Sequence, residues 1–231
     1  MTAFHSDGAA KRSFLAALEA LEAGRSEAGD SEADLRLLSL PQEMGIPREL
    51  LALAEAAAEG LGAYEGLTWP RRFLEAVPPG AELGMVWKQW MLWSLRDRDW
   101  GLLGMDLESL VQPCLVMLER YYLNRVLGRE ASAGDILRAE SVLRLMEEDA
   151  AMWRGAGKGH SRELSACAAA RHFWDARDGS PVGLMQASRA AYACRRDSPN
   201  FALRRCERLQ DLVSHAPAGQ AAFVACGRGG S

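Results

Sequence analysis

The sequence predicts an all-α protein, a bundle or array of about eight to nine helices with a Trp-rich central helix and an Ala-rich C-terminal section. Three observations carry this reading. Apolar residues recur at i, i+3, i+4 and i+7 along most of the chain, the spacing of one helix face. No segment alternates apolar and polar residues between hairpin turns, as a half-buried strand would. Proline and glycine fall mainly between the periodic segments, where helices start and stop.

Taken in order, residues 9–23 place Phe14, Leu15, Leu18 and Leu21 on one helix face, and Gly24 ends the pattern. The polar stretch that follows, rich in Gly, Ser and acidic residues, is expected to be a mobile loop, so residues 1–40 form a loosely tethered helix and an acidic linker. The pattern restarts near Pro41. Pro47 suits a first helical turn, and RELLALAEAAAEGL runs on to Gly60 or Gly62. Thr68 is placed to cap a helix through WPRRFLEAV, with Pro70 in its first turn and Pro78-Pro79-Gly80 as its stop.

From Ala81 to about Asp97 the pattern is helical again. Trp87, Trp90 and Met91 share a face, and Leu83, Val86, Trp93 and Leu95 widen the apolar arc to more than half the circumference. Five of the seven tryptophans lie between Leu67 and Trp100: Trp69, Trp87, Trp90, Trp93 and Trp100. Such rings nucleate a core or anchor a contact surface, and both readings stay open. RDRDW then marks emergence into solvent. A further helix is expected from Asp106 or Ser109, regular from Gln112 to Leu127, followed by one capped by Asp135 and ending near Trp153. Residues 41–154 thus make the Trp-rich core.

Residues 155–216 read as an Ala/Arg-rich helical section packed on that core. Its three helices are SRELSACAAARHFWDARD, SPVGLMQASRAAYACRRD and SPNFALRRCERLQDLVSH. Ser180-Pro181 and Ser198-Pro199 each look like an N-cap followed by a first-turn proline, and hint at a repeat. Ala166, Ala169, Ala170, Ala187, Ala190, Ala191 and Ala202 would let helix axes approach closely. Residues 217–231 are expected to be a disordered tail.

The search for chemistry finds no phosphate loop, nucleophile elbow, zinc-protease motif or dinucleotide fingerprint. His160, Glu163 and Cys167 stand at i, i+3 and i+7, a spacing open to a metal or acid–base pair and equally to an ordinary helix start. No Glu-x-x-His pair builds a di-metal bundle site. The five cysteines, Cys114, Cys167, Cys194, Cys206 and Cys226, contain no Cys-x-x-Cys, and Cys167, Cys194 and Cys206 stand in helices where small core residues would, in a reducing compartment. We therefore expect no enzyme and no cofactor.

Charge gives the stronger signal. The net charge is −4, but residues 1–70 carry 12 carboxylates against 5 Lys/Arg, and residues 150–231 reverse this with 12 Lys/Arg against 6. Arg189, Arg195, Arg196, Arg204, Arg205 and Arg208 fall within twenty residues, and Arg rather than Lys suits bidentate contacts to carboxylate or phosphate. With Trp100 and Trp174 as aromatic anchors, these are the candidate partner-binding residues. An acidic protein surface is the favoured partner, the chain's own acidic N-terminal part an internal alternative, and nucleic acid a further one. MTAFHSDGAAKRSF lacks the pattern of a secretory signal, and no apolar run approaches the roughly 18 residues of a membrane span, so a cytoplasmic protein away from membranes is expected.

MGIPRELLALAEAAAEGL, FLEAVPPGAEL and VWKQWMLWSLRD, within residues 44–127, resemble a pattern in uncharacterised all-helical bacterial and phage proteins. Those proteins are similar to immunity-type proteins associated with bacterial toxins. The resemblance implies a non-enzymatic module that sequesters or inhibits a partner, as an immunity protein, antitoxin or phage anti-defence inhibitor. It carries over no catalytic residue, and the prolines and arginines interrupting the Ala-rich region depart from the pattern. The alternative expectation is a nucleic-acid-associated regulator using the Arg-rich C-terminal helices.

Overall fold

The computed structural model describes residues 3–28, 44–107, 111–156, 161–198 and 200–218. Among these the chain is all-α: α1 (Gly8–Ala28), α2 (Arg48–Ala58), α3 (Ala63–Ala76), α4 (Val86–Arg96), α5 (Val111–Val126), α6 (Ala133–Ala156), α7 (Ser161–Asp175), α8 (Pro181–Arg195) and α9 (Phe201–Ser214). No helix among the described residues is long and apolar enough to cross a membrane. The expected tail lies outside the described residues from 219 onward.

α2 is the most enclosed helix. It buries Leu50, Leu51, Ala52, Leu53, Ala54, Ala56 and Ala57, and packs on α3, α4, α8 and α9. Leucines fill the wide side of its surroundings, and alanines let α8 come close on the other. The same small residues, Ala166, Ala169, Ala170, Ala187 and Ala191, are buried where α7 meets α8. The Trp-rich α4 faces α5, α9 and α2 with Val86, Trp87, Trp90, Met91 and Leu95, while Leu92 and Trp93 on its outer side are half-buried. Its tryptophans are thus mainly core.

Buried polar tips tie the layers together. Trp69 donates its indole N–H to the Ala54 carbonyl at 2.9 Å, joining α3 to α2. The Tyr122 hydroxyl donates to the Phe173 carbonyl at 2.7 Å, joining α5 to α7, and burial holds that phenol well above its ordinary pKa. Each bond satisfies a group that would otherwise cost about 1–3 kcal/mol to bury.

Several element boundaries differ from expectation, each for a local reason. α1 continues through Gly24 to Ala28, because one glycine costs only about 1 kcal/mol among good helix formers. The first helix is also not loosely tethered. Lys11 donates to the Glu75 and Val77 carbonyls at 2.6 and 2.7 Å, capping the end of α3, and Ala3 exchanges backbone hydrogen bonds with Gly80 and Ala81. α3 begins at Ala63 rather than at Thr68, whose hydroxyl turns back to the Tyr64 and Glu65 carbonyls inside the helix. α4 starts only at Val86. Ala81 is extended and forms an isolated bridge with Ala218, and Glu82 donates to Pro217, so both ends of the described chain lie against residues 80–82.

At the start of α6 the cap is Ser132. Its hydroxyl accepts from the Asp135 N–H at 3.1 Å, and Asp135 returns the bond to Ser132 N–H at 3.2 Å, a capping box. Of the two Ser-Pro pairs only Ser180-Pro181 behaves as expected, with Ser180 accepting from the Gly183 N–H at 3.2 Å. α9 is entered instead through Asn200 in the left-handed region at φ 63°, so the suggested repeat does not extend to the caps. Pro199 lies outside the described residues.

Candidate partner-binding surface

The site is built at the exit of α4. Asp97 terminates that helix and accepts hydrogen bonds from the Asp99 and Trp100 backbone N–H groups at 3.0 and 2.9 Å. Its other oxygen accepts from the Trp93 indole at 2.9 Å. A carboxylate gathering the N–H groups two and three residues on makes a rigid turn and fixes where Trp100 points. Gly101 follows because nothing larger fits: a Cβ there would lie 2.6 Å from the Asp97 backbone. Its carbonyl accepts from Arg195 Nη2 at 2.6 Å, locking the turn to the end of α8.

Trp100, half-buried, stacks on Phe201 at the start of α9 with 5.8 Å between centroids and 12° between planes. Phe201 in turn stacks on Tyr192 of α8 at 6.2 Å and 10°. Three nearly parallel rings are thus stacked, with the buried Phe201 between the half-buried Trp100 and Tyr192. Arg98 on the turn, Arg162 at the start of α7 and Arg196 just after α8, which lines a notch together with Tyr192 and Phe201, are all exposed and in no ion pair among the described residues. Burial, and to a lesser degree the neighbouring charge of Arg162, pull the pKa of Arg195 below its ordinary value. That notch, of about 390 Å³, lies beyond the ring stack, between Gly60 and Glu65 on one side and Arg196 and Asn200 on the other.

Three of the other expected arginines form ion pairs with the chain's own carboxylates at the surface. Arg189 pairs with Glu59 at 2.5 Å, Arg204 with Glu207 at 2.7 Å, and Arg208 with Asp211. Arg205 is buried at 1% exposure, a correction to its expected role. Its Nη2 donates to the Ala56 carbonyl at 2.8 Å, the Ser188 carbonyl at 3.0 Å and the Ser188 hydroxyl. Ala56 belongs to the last turn of α2, so the guanidinium caps the negative end of that helix. The rings of Tyr192, Phe201 and Trp90 surround it at 5.1, 5.9 and 6.0 Å, and burial lowers its pKa to about 10, which leaves it charged at neutral pH. Trp174 is likewise core, 1% exposed under the guanidinium of Arg177 at 4.6 Å. Neither Arg205 nor Trp174 can touch a partner.

Of the expected contact residues the structure therefore brings together Trp100, Arg195 and Arg196, and adds Arg98 and Arg162. Sequence reasoning missed those two because they sit far from the Arg-rich stretch. The one available signal was Asp97-x-Asp99-Trp100-Gly101, an Asx-type turn presenting a tryptophan.

His160 lies outside the described residues. Glu163 is half-buried, and Cys167 is buried with its thiol pushed up to about 11, so it is held as the neutral, unreactive form. Cys114, Cys194 and Cys206 are free thiols pushed up to about 12 by the same desolvation. Among the described residues no group of three or more His, Cys, Asp and Glu is arranged to hold a metal ion. Compared with protein-family models, with curated proteins and with solved structures, the chain matches none.

Proposed function

We propose that this chain is a non-enzymatic binding protein that sequesters or inhibits an acidic protein partner through Trp100, Arg98, Arg162, Arg195 and Arg196. One observation carries the reading. The turn that holds the half-buried Trp100 is buttressed by Arg195, and the exposed Arg98 on that turn, Arg196 next to Arg195 and Arg162, whose charge acts on Arg195, have no carboxylate partner among the described residues. Trp and Arg are the residues that dominate binding energy at interfaces, and a pre-organised anchor loses little entropy when it docks. The immunity, antitoxin or anti-defence role belongs to the same proposal, and the identity of the partner would name it.

The test is capture of the tagged protein from its native host, with and without nuclease, followed by the Trp100→Ala and Arg98→Glu/Arg196→Glu variants. A stoichiometric protein should survive nuclease. Its affinity should fall about 30-fold or more for Trp100→Ala, the scale of an interface hot spot, with the thermal midpoint unchanged for the double-charge variant. Undiminished capture by both variants defeats the assignment of this surface.

A specific observation also favours a second reading. Parallel rings ending in a half-exposed tryptophan beside arginines are what single-stranded nucleic acid stacks on. That reading expects a companion removed by nuclease and an affinity that falls with salt, with a logarithmic slope of roughly −2 to −3 for three phosphate contacts.

A further inference from the structure

The longest helix carries two seams, and the fold uses one of them. α6, 24 residues long, packs on α5 and α7. It buries Ala139, Leu143, Met146 and Ala150, spaced 4, 3 and 4 residues apart, the two-in-seven pattern of a helix–helix contact. The outer face repeats that spacing. Gly134, Arg138, Ser141, Leu145, Glu148 and Met152 follow one another at 4, 3, 4, 3 and 4 residues, and all six are exposed. At about 100° per residue they form one stripe, roughly 150° around the axis from the buried seam. Leu145 is 48% exposed and Met152 66%, and Leu137 at the margin of the stripe is 65% exposed. Single exposed apolar residues are ordinary, but three of them along a second seam mark a contact surface.

The order of residues along the stripe points to its occupant. An identical helix laid antiparallel, with a two-fold axis level with Leu143, sets Gly134 against Met152 of the partner subunit and Ser141 against Leu145 of the partner subunit. The same register sets Arg138 against Glu148 of the partner subunit. Each pairing occurs twice, as a two-fold contact requires. Large meets small and cation meets carboxylate at all six positions. A parallel pairing in register would instead set Arg138 and Glu148 each against its own copy. At the edges of the stripe, Arg144 and Asp135 are already answered within the chain, Arg144 by Glu148 at 3.9 Å and Asp135 by the Ser132 of the capping box. We propose that the outer face of α6 is a self-association surface, which joins two copies of this chain as an antiparallel two-fold pair. A contact of one helix per copy falls in the class below roughly 1,200 Å², so the pair is weak and reversible.

The experiment is sedimentation velocity of the full chain over a wide concentration range. The wild-type chain should shift reversibly from monomer to dimer. Arg138→Glu and Glu148→Arg each place like charges in both facing pairs, and each should weaken self-association by about tenfold or more. Mixed in equal amounts, the two variants restore opposite charges at both pairs, and a heterodimer of wild-type affinity should form. Leu145→Lys should weaken the dimer by about 30-fold or more, the scale of a buried anchor. All these positions are exposed, so thermal midpoints measured at dilutions where the chain is monomeric should stay unchanged and show that the variants fold. A wild-type chain that stays monomeric at the highest attainable concentration overturns the proposal. So do single-charge variants that associate as the wild type does, or a mixture that recovers nothing.

Discussion

Arg204 and Arg205 are neighbours on α9, about 100° apart around its axis. Arg204 is exposed and pairs with Glu207 one turn on, a surface ion pair of the kind that contributes 0 to about 1 kcal/mol. Arg205 faces inward, caps α2 and is enclosed by three aromatic rings. The two differ in nothing but helical phase. A run of arginines counted along the chain is therefore not a surface patch. The patch proposed here instead joins arginines from a turn, a helix start and a helix end that are up to about a hundred positions apart in sequence.

The contrast breaks most sharply under mutation. Arg205→Ala removes a buried cation, leaves the Ala56 and Ser188 acceptors unpaired and opens a cavity between α2, α8 and α9. We expect a loss of about 3–5 kcal/mol in urea unfolding. Arg204→Ala should stay within about 0.5 kcal/mol. Equal effects at the two positions would mean that the interior contacts of Arg205 carry no more weight than a surface pair.

A second pairing sharpens the point with glycines. Gly60 follows α2 at φ +89°, and a Cβ there would meet the Tyr192 hydroxyl at 2.1 Å. Gly66 lies inside α3 with nothing within 4 Å of such a Cβ. Gly60→Ala must strain the backbone and push Tyr192 against the Phe201 stack, at a cost of about 2–3 kcal/mol. Gly66→Ala should stabilise by up to about 1 kcal/mol through helix propensity. Thermal midpoints moving in opposite directions confirm the assignment, and a shared direction refutes it.

Much of the helical order was legible because it rests on periodicity and on local stops such as Pro78-Pro79-Gly80. What escaped was decided by partners distant in the chain or by competing local bonds. Thr68 has the chemistry of a cap, yet its hydroxyl finds helical carbonyls behind it once α3 is extended to Ala63. Lys11 carries no sequence sign that it will cap α3 from sixty residues away. Of the candidate site, Trp100, Arg195 and Arg196 could be named from composition, because arginine and tryptophan mark contact surfaces. Arg98 and Arg162 could not, since only the fold ties the α4 exit to Arg195 and puts Arg195 within reach of the Arg162 charge. Arg205 and Trp174 misled for the converse reason: an arginine with carbonyl acceptors, or a tryptophan among alanines, is as much at home in a core as outside it.

The two Ser-Pro pairs supply the smallest and most local test. Ser180 accepts from the Gly183 N–H and sits before Pro181, whose fixed φ suits the first turn and whose missing N–H leaves no donor unsatisfied. Ser198 precedes α9 by three residues, and the first turn is reached through Asn200, whose left-handed φ of 63° no side-chain cap accompanies. Removing the hydroxyl should therefore act at one site and not at its twin. Ser180→Ala should cost about 1 kcal/mol, the usual value of a lost N-cap, while Ser198→Ala should change stability by less than about 0.5 kcal/mol. Amide exchange at Gly183 gives the local reading of the same difference. It should accelerate in Ser180→Ala, because that N–H loses its acceptor, and remain unchanged in Ser198→Ala. If both variants lose the same stability, Ser198 caps α9 after all, and the dipeptide marks helix starts more faithfully than this structure indicates.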